Sequence, residues 1–210
     1  MTRQEIMKGK TKVRDEDFEL VQAVNNGQTE LFQKLVEKYQ QKLYNFGMRM
    51  CGEPRDAEDL VQETFLNVFR YLSGFRYETK FKNWMYRVAT TTCIKAKRKP
   101  KHAPDYELSL EDYLPGEGEE PPDQAPGWAQ LPLDQLLNEE LARRIEQAVL
   151  ELPKKYRMVA VLRDQEGFST EETAQILDIS EANTKVRLHR ARLFLREKLK
   201  GYFEHDPSPA

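Results

Sequence analysis

Along most of this 210-residue chain, apolar residues recur at the three- and four-residue intervals that place them on one face of a helix. This periodicity predicts an all-α protein with two groups of helices. The first group covers residues 15–24, 29–50, 56–72 and 80–99. The second group covers residues 133–150, 154–164, 169–178 and 181–200.

The stretch between the two groups has no helical period. Residues 101–136 contain six prolines, and one Lys stands against nine Asp or Glu. A segment of this composition cannot bury enough apolar surface to order itself, so a flexible, largely disordered acidic linker is predicted. The pattern therefore predicts two small helical domains, over residues 15–100 and 137–204, with tails at residues 1–14 and 205–210.

The most distinctive pattern lies in residues 168–199 and predicts a helix, a tight turn and a second helix. Ser169 and Glu172 have the spacing of a capping box, and Ser180 is placed to cap the second helix. That second helix carries one buried stripe, formed by Thr184, Leu188, Ala191, Leu195 and Leu199. Over residues 181–200, seven Lys or Arg oppose two Glu, and a basic rod of about 30 Å suits the DNA major groove. Because basic amphipathic helices are also common as solvated surfaces, this stretch alone favours DNA binding without proving it.

The formal net charge of −2 predicts no partner, but the distribution of charge does. Residues 76–101 hold nine Lys or Arg against a single acid, Glu78. Aromatic residues are interleaved with these cations, namely Phe75, Tyr77, Phe81, Trp84 and Tyr86. Cations for phosphates and rings for bases are typical of surfaces that hold single-stranded nucleic acid. Core packing is the commoner role for Phe81 and Trp84, whereas Arg76 and Tyr77, in a loop, are better candidates for direct contact.

The predicted helix over residues 56–72 has an unusual outer face. Its buried stripe leaves a set of polar residues outside, and an apolar Leu66 is left among them. This outer set consists of Asp59, Gln62, Glu63, Leu66 and Arg70. Either it is an ordinary solvated face with one stray leucine, or it docks a basic partner protein.

Motifs for catalysis are absent from the sequence. It contains no phosphate-binding P-loop, no dinucleotide-binding glycine motif and no nucleophile elbow. The three histidines have no metal-ligand spacing with the cysteines. We therefore expect that the protein is not an enzyme and that it binds no cofactor and no metal. Cys51 and Cys93 form no disulfide framework, which predicts free thiols in a reducing cytoplasm. The sequence shows neither a signal-peptide pattern nor an apolar run of about 20 residues, so we expect no membrane insertion.

Three sequence blocks together resemble a known family. They are DAEDLVQETFLNVFR (56–70), FRYETKFKNWMYRVA (75–89) and LPKKYRMVAVLRDQEGFSTEETAQILDISEANTKVRLHRARLFLREKL (152–199). In this order, across a variable linker and over nearly all of residues 15–200, they resemble the extracytoplasmic-function (ECF) sigma factors of bacterial RNA polymerase.

The resemblance implies three contact sets. The helix over residues 56–70 would bind the clamp helices of the largest polymerase subunit through Asp56, Asp59, Gln62, Glu63 and Leu66. The loop and helix over residues 75–99 would recognise and open the −10 element through Arg76, Tyr77, Lys80, Lys82, Asn83, Trp84, Arg87 and Thr91. The second helix of the helix-turn-helix would read the −35 element through Ser180, Glu181, Asn183, Lys185, Val186, Arg187, His189 and Arg190.

The resemblance also implies partners and a mechanism. Core RNA polymerase, including the flap of its second-largest subunit, promoter DNA and an anti-sigma factor are the expected partners, and the linker would run toward the polymerase active site. The protein would be a dissociable initiation subunit without a catalytic group. Departures from the family pattern at Thr91, Asp178, Asn183-Thr184 and Val186 mean that promoter sequences cannot be copied from a relative.

Two alternatives stay open: a helix-turn-helix regulator that binds duplex DNA without polymerase, and an interaction adaptor of two helical bundles.

Overall fold

The computed structural model describes residues 12–96 and 139–203, and all regular elements within these two segments are helical. The predicted linker, most of the N-terminal tail, the C-terminal tail and the start of the helix predicted at residue 133 lie outside the described residues. The first segment contains α1 (Phe18–Asn25), α2 (Phe32–Cys51), α3 (Pro54–Tyr71) and α4 (Phe81–Ala96). The second contains α5 (Glu139–Glu151), α6 (Lys154–Ala160), α7 (Thr170–Leu177) and α8 (Glu181–Phe203).

Helices α2 and α3 form the framework of the first segment. Gly52 ends α2 in the left-handed conformation, and Pro54 begins α3, where a missing N–H costs nothing. The two helices approach closely at Gly47, because an added Cβ there would lie 3.0 Å from the Cα of Ala57. The buried face of α2 carries apolar side chains at three- and four-residue spacing, as predicted: Leu35, Tyr39, Leu43, Phe46 and Met50.

Two predicted helix starts are wrong. The first helix begins at Phe18 rather than Asp15, because the Asp15 and Asp17 carboxylates bind distant groups instead of continuing a helix. Asp17 is 2% exposed, and its buried carboxylate accepts hydrogen bonds from the hydroxyl of Tyr39 and the ammonium of Lys38. Thr29, the predicted start of the second helix, lies within a 3-10 turn, Thr29–Leu31, and α2 begins only after it.

The helix-turn-helix forms as predicted in its local chemistry. Ser169 and Glu172 make both hydrogen bonds of the capping box. Asp178 ends α7 with a φ of 58°, and the Ser180 hydroxyl accepts the Asn183 N–H at 3.1 Å. All five residues of the predicted stripe of α8 are buried: Thr184, Leu188, Ala191, Leu195 and Leu199. The segment predicted as one helix over residues 154–164 instead widens after α6 into a π-turn, Val161–Gln165.

The two segments share one hydrophobic core. The ring of Tyr86 in α4 lies 5.5 Å from that of Phe46 and 4.9 Å from that of Phe168, which precedes α7. The Arg157 guanidinium donates to the carbonyl of Met50 at 2.8 Å, and the Lys154 ammonium donates to that of Cys93 at 2.6 Å. The two predicted helix groups are thus packed against each other. In the two described segments, no helix combines the length and apolarity needed to cross a membrane.

Candidate functional site

The outer face of α3 presents all five residues predicted to bind polymerase. The inner stripe of α3 is buried against α2 and α4, which turns Asp56, Asp59, Gln62, Glu63 and Leu66 to the surface. Leu66 is 60% exposed, so it is not drawn into the core. The periodicity did not predict that Phe69 and Tyr71 also lie exposed close to it in sequence. The outer face therefore combines acidic and amide groups with one exposed leucine.

An open groove of about 1080 Å³ joins this face to α4. Asp59, Glu63 and Leu66 line it from α3. Trp84, Arg87 and Thr91 line it from α4. The groove arises from the packing of two helices that are separate in sequence, so no local pattern predicts it. It brings residues predicted to bind polymerase and residues predicted to bind the −10 element to a single surface.

In the loop before α4, Arg76 is exposed but Tyr77 is held within the fold. The ring of Tyr77 lies 5.0 Å from that of Phe18 and 4.8 Å from that of Phe75. Its hydroxyl accepts a hydrogen bond from the Asn25 amide at 3.3 Å. Its backbone has a φ of 58°, a conformation that costs a non-glycine residue of order 1–3 kcal/mol. Tyr77 therefore shapes this loop through contacts inside the protein.

Trp84 and Thr91 differ in their surroundings. Trp84 is half-buried, and its ring lies 5.1 Å from that of Phe75 and 6.1 Å from that of Phe81. Its packing agrees in part with the core role that composition favours for it, and its remaining surface lines the groove. Thr91 is exposed, and its hydroxyl donates to the carbonyl of Arg87.

Helix α7 covers the basic side of α4. The Glu172 carboxylate accepts hydrogen bonds from the Lys80 ammonium at 3.0 Å and from the Asn83 amide at 3.2 Å. Asn83 is 4% exposed, so this predicted DNA contact is buried where α7 packs on α4. Arg87 reaches the Asp178 carboxylate at 3.5 Å. Burial acts to raise the pKa of the Glu172 carboxyl, but the Ser169 N–H, Lys80 and Asn83 outweigh it and lower that pKa to about 2.

Glu166 is a second anchoring carboxylate, and sequence analysis missed it. Its side chain is 8% exposed and binds Arg49 at 2.9 Å and the Tyr86 hydroxyl at 2.6 Å. The Lys82 ammonium donates to the Glu166 carbonyl at 3.3 Å and stands 4.2 Å from the centroid of Phe168. Burial lowers the pKa of Lys82, and burial together with Glu166 raises the pKa of Tyr86. The π-turn that positions Glu166 has no sequence pattern by which it could be found.

The predicted DNA-reading side of α8 is open by comparison. Ser180, Glu181, Asn183, Lys185 and Val186 are exposed at its start. Arg187, His189 and Arg190 follow and are half-buried. The Arg190 guanidinium donates to the Tyr156 hydroxyl at 3.3 Å, which connects this face to α6. Arg192 pairs with the buried carboxylate of Asp164 at 2.7 Å, which fixes α8 against the π-turn.

Comparisons with known proteins agree with this arrangement. Residues 35–102 match the family model for Sigma-70 region 2, and residues 142–195 match that for Sigma-70 region 4. The first match contains α3 and α4, and the second contains α7 and most of α8. Solved structures that resemble the fold include CnrH in complex with the cytosolic domain of CnrY (TM-score 0.63) and the Bartonella quintana sigma factor RpoE in complex with the anti-sigma factor NepR (TM-score 0.57). Each is 22% identical in sequence to this chain. The match with CnrH covers 89% of this chain and 99% of CnrH, and the match with RpoE covers 80% of this chain and 96% of RpoE.

Curated relatives are more similar in sequence. The ECF RNA polymerase sigma factor SigW of Bacillus subtilis is 36% identical over 180 residues, which cover 86% of this chain and 95% of SigW. The RNA polymerase sigma-H factor of Pseudomonas aeruginosa is 31% identical, with 85% of this chain and 91% of the relative covered. The ECF RNA polymerase sigma-E factor of Escherichia coli K12 is 30% identical, with 87% and 94% covered. The chain therefore belongs to the ECF sigma factors of RNA polymerase.

Proposed function

We propose that this sigma factor divides promoter recognition and polymerase binding among three surfaces of its fold. As a sigma factor it is a DNA-binding regulatory protein that directs RNA polymerase to initiate transcription. The observation that carries the finer proposal is that the outer face of α3 and the first turns of α8 are both exposed while both helices are anchored in one core. One folded protein can thus present a surface for a protein partner and another for duplex DNA at the same time.

Polymerase binding is assigned to the outer face of α3. Asp56, Asp59 and Glu63 supply negative charge, Gln62 supplies hydrogen bonds, and Leu66 supplies an apolar anchor. An exposed leucine surrounded by charged groups is suited to a partner that offers an apolar contact inside a basic rim. The clamp helices of the largest subunit are the proposed partner, and the flap of the second-largest subunit is proposed to bind the second helical segment.

Promoter reading is assigned to α8 and to the α4 region. Lys185, Arg187 and Arg190 project near the start of α8, the part of a recognition helix that contacts base edges in the major groove. Arg76, Lys80 and Trp84 form the proposed surface for the separated −10 strand. Stacking of a base on an aromatic ring contributes about 1–3 kcal/mol, which is comparable with the cost of unstacking one base. Strand opening thus needs no catalytic group and no cofactor.

An anti-sigma factor and a cytoplasmic location complete the proposal. The structural relatives CnrH and RpoE were solved with CnrY and with the anti-sigma factor NepR. A protein that shares their fold offers the same kind of surfaces, the outer face of α3 and the open side of α8, to a regulator of this class. Because RNA polymerase works in the bacterial cytoplasm, a polymerase subunit is expected there.

Reconstituted transcription with purified bacterial core polymerase tests the proposal. We expect discrete transcripts from fragments of the source genome that depend on this protein, and a loss of at least about tenfold when Asp59→Lys and Glu63→Lys are combined. Glu37→Lys combined with Glu146→Lys, at exposed acids of α2 and α5, is the charge-matched control and should leave transcription unchanged. If no transcripts form and the protein alone binds duplex DNA tightly, a polymerase-independent helix-turn-helix regulator replaces the proposal.

A further inference from the structure

A short non-helical segment before α1, residues 12–17, packs on the loop that precedes α4. The backbone N–H of Val13 donates to the carbonyl of Tyr77 at 2.8 Å. The Lys12 ammonium stands 5.2 Å from the centroid of the Tyr77 ring, and the Arg14 guanidinium lies 5.2 Å from that of Phe18. The contacts of Lys12 and Val13 with Tyr77 join residues far apart in the sequence, so they are tertiary, whereas that of Arg14 with Phe18 is local.

Asp15 joins this segment to the start of α4. One oxygen of its carboxylate accepts the backbone N–H of Phe81, the first residue of α4, at 2.6 Å. The other oxygen accepts the N–H of Asp17 at 3.1 Å. The first N–H groups of a helix have no partner within the helix, and a carboxylate there is favoured by both the hydrogen bond and the helix dipole. Asp15 thus serves α4 as a cap that is 66 residues away in sequence.

The loop between α3 and α4 needs such support because its backbone is strained. Tyr77 is one of two non-glycine residues with positive φ in the described segments, and such a conformation persists only when the surroundings fix it. Val13 fixes the carbonyl of Tyr77, Asn25 fixes its hydroxyl, and Phe18 and Phe75 fix its ring. Asp15 fixes the point at which the loop becomes helix.

We propose that Asp15 is a positioning residue for −10 recognition, which with Val13 holds the Tyr77 loop and the start of α4 in the geometry that meets the separated DNA strand. This inference rests on the proposed function of α4. Asp15 itself contacts no DNA: it acts through the backbone of Phe81 and through the exposed neighbours of that backbone, Arg76 and Lys80.

The test compares full-length Asp15→Ala with the wild-type protein in complex with core polymerase. We expect polymerase binding to be unchanged, while the preference for the correct −10 base over a substituted one falls by about fivefold or more. Asp15→Asn keeps a side-chain oxygen that can accept the Phe81 N–H, so it should restore most of the preference. The matched control is Glu16→Ala, whose carboxylate pairs with Lys38 and not with the loop.

Unchanged −10 base preference in Asp15→Ala would overturn the inference, provided that the wild-type protein supports transcription. If Asp15→Ala does not fold, Val13→Pro removes the other backbone contact to the loop and is expected to lower the same preference. If the wild-type protein itself does not direct polymerase, the proposed function fails, and that result is distinct from failure of the positioning role.

Discussion

Helices α4 and α8 carry the two predicted DNA surfaces, and they are presented in opposite ways. At the start of α8, Ser180, Glu181, Asn183, Lys185 and Val186 are exposed, whereas Asn83 of α4 is buried. Lys80, Lys82 and Arg87 are bound to groups in the segment from Glu166 to Asp178. Duplex DNA is a rigid ligand that a preformed helix can read. A separated strand exists only after opening, so a surface for it has no ligand until polymerase is present. The comparison indicates that the predicted surface for duplex DNA is exposed in the protein alone, whereas the predicted surface for a separated strand is largely occupied by other groups of the protein.

The largest expected effect comes from Phe168, which is 2% exposed and packs on Tyr86 beneath the covered surface. Phe168→Ala should lower the free energy of unfolding by about 3–5 kcal/mol, because it removes a buried ring and leaves a cavity. Chemical denaturation followed by circular dichroism measures it. Val186→Ala on the open side of α8 should change stability by less than about 0.5 kcal/mol. Similar losses in both variants would mean that the two surfaces do not differ in packing.

The next effect concerns the ion pair between Arg49 and Glu166, whose carboxylate is buried. Arg49→Ala should destabilise the protein by about 1–3 kcal/mol, because the buried Glu166 carboxylate then keeps a hydrogen bond from the Tyr86 hydroxyl alone among the described side chains. A double-mutant cycle with Glu166→Gln should recover part of this loss. Additive losses in that cycle would show that the two side chains are not coupled.

Lys185 tests the open surface. Lys185→Ala should weaken polymerase-dependent promoter binding by about 1–3 kcal/mol at one −35 base pair if the side chain contacts a base edge. Binding to a panel of single-base −35 variants measures the effect. Equal weakening across the panel would assign the contact to a phosphate instead.

The smallest effect is a pH dependence of the stability that Glu172 contributes through its contacts between α7 and α4. The pKa of Glu172 is lowered to about 2 in the folded protein, so its contacts stabilise the fold fully above about pH 4.5 and are lost as the pH falls toward 2. Because the pair with Lys80 is partly exposed, the contribution should stay below about 1 kcal/mol. Denaturation of wild type and Glu172→Gln between pH 6 and pH 3 measures it. A stability difference that does not shrink on acidification would exclude the carboxylate as its source.

Local chemistry made much of the fold predictable. Ser169, Glu172, Asp178 and Ser180 act through groups three or four residues away, and all four behave as predicted. The buried stripe of α8 is equally local, because a helical period decides it. The outward position of Leu66 on α3 follows from the same period.

What could not be predicted depends on contacts across the chain. The helical period includes Asp15 in the first helix, because no local pattern reveals that its hydrogen-bond partner, Phe81, lies 66 residues away. Glu166 carries no recognisable pattern, since Arg49 and Tyr86 reach it from another segment. The burial of Asn83 follows from the packing of α7 on α4, which no periodicity encodes.

Gly47 has a consequence for genetics. Since a methyl group at this position would press on Ala57, substitutions there must move α3 relative to α2. The outer face of α3, on the opposite side of that helix, would move with it. A screen for variants defective with polymerase should therefore return alleles at a residue that touches no partner. Suppressors of such alleles are then expected within the helix pair, and not in the polymerase.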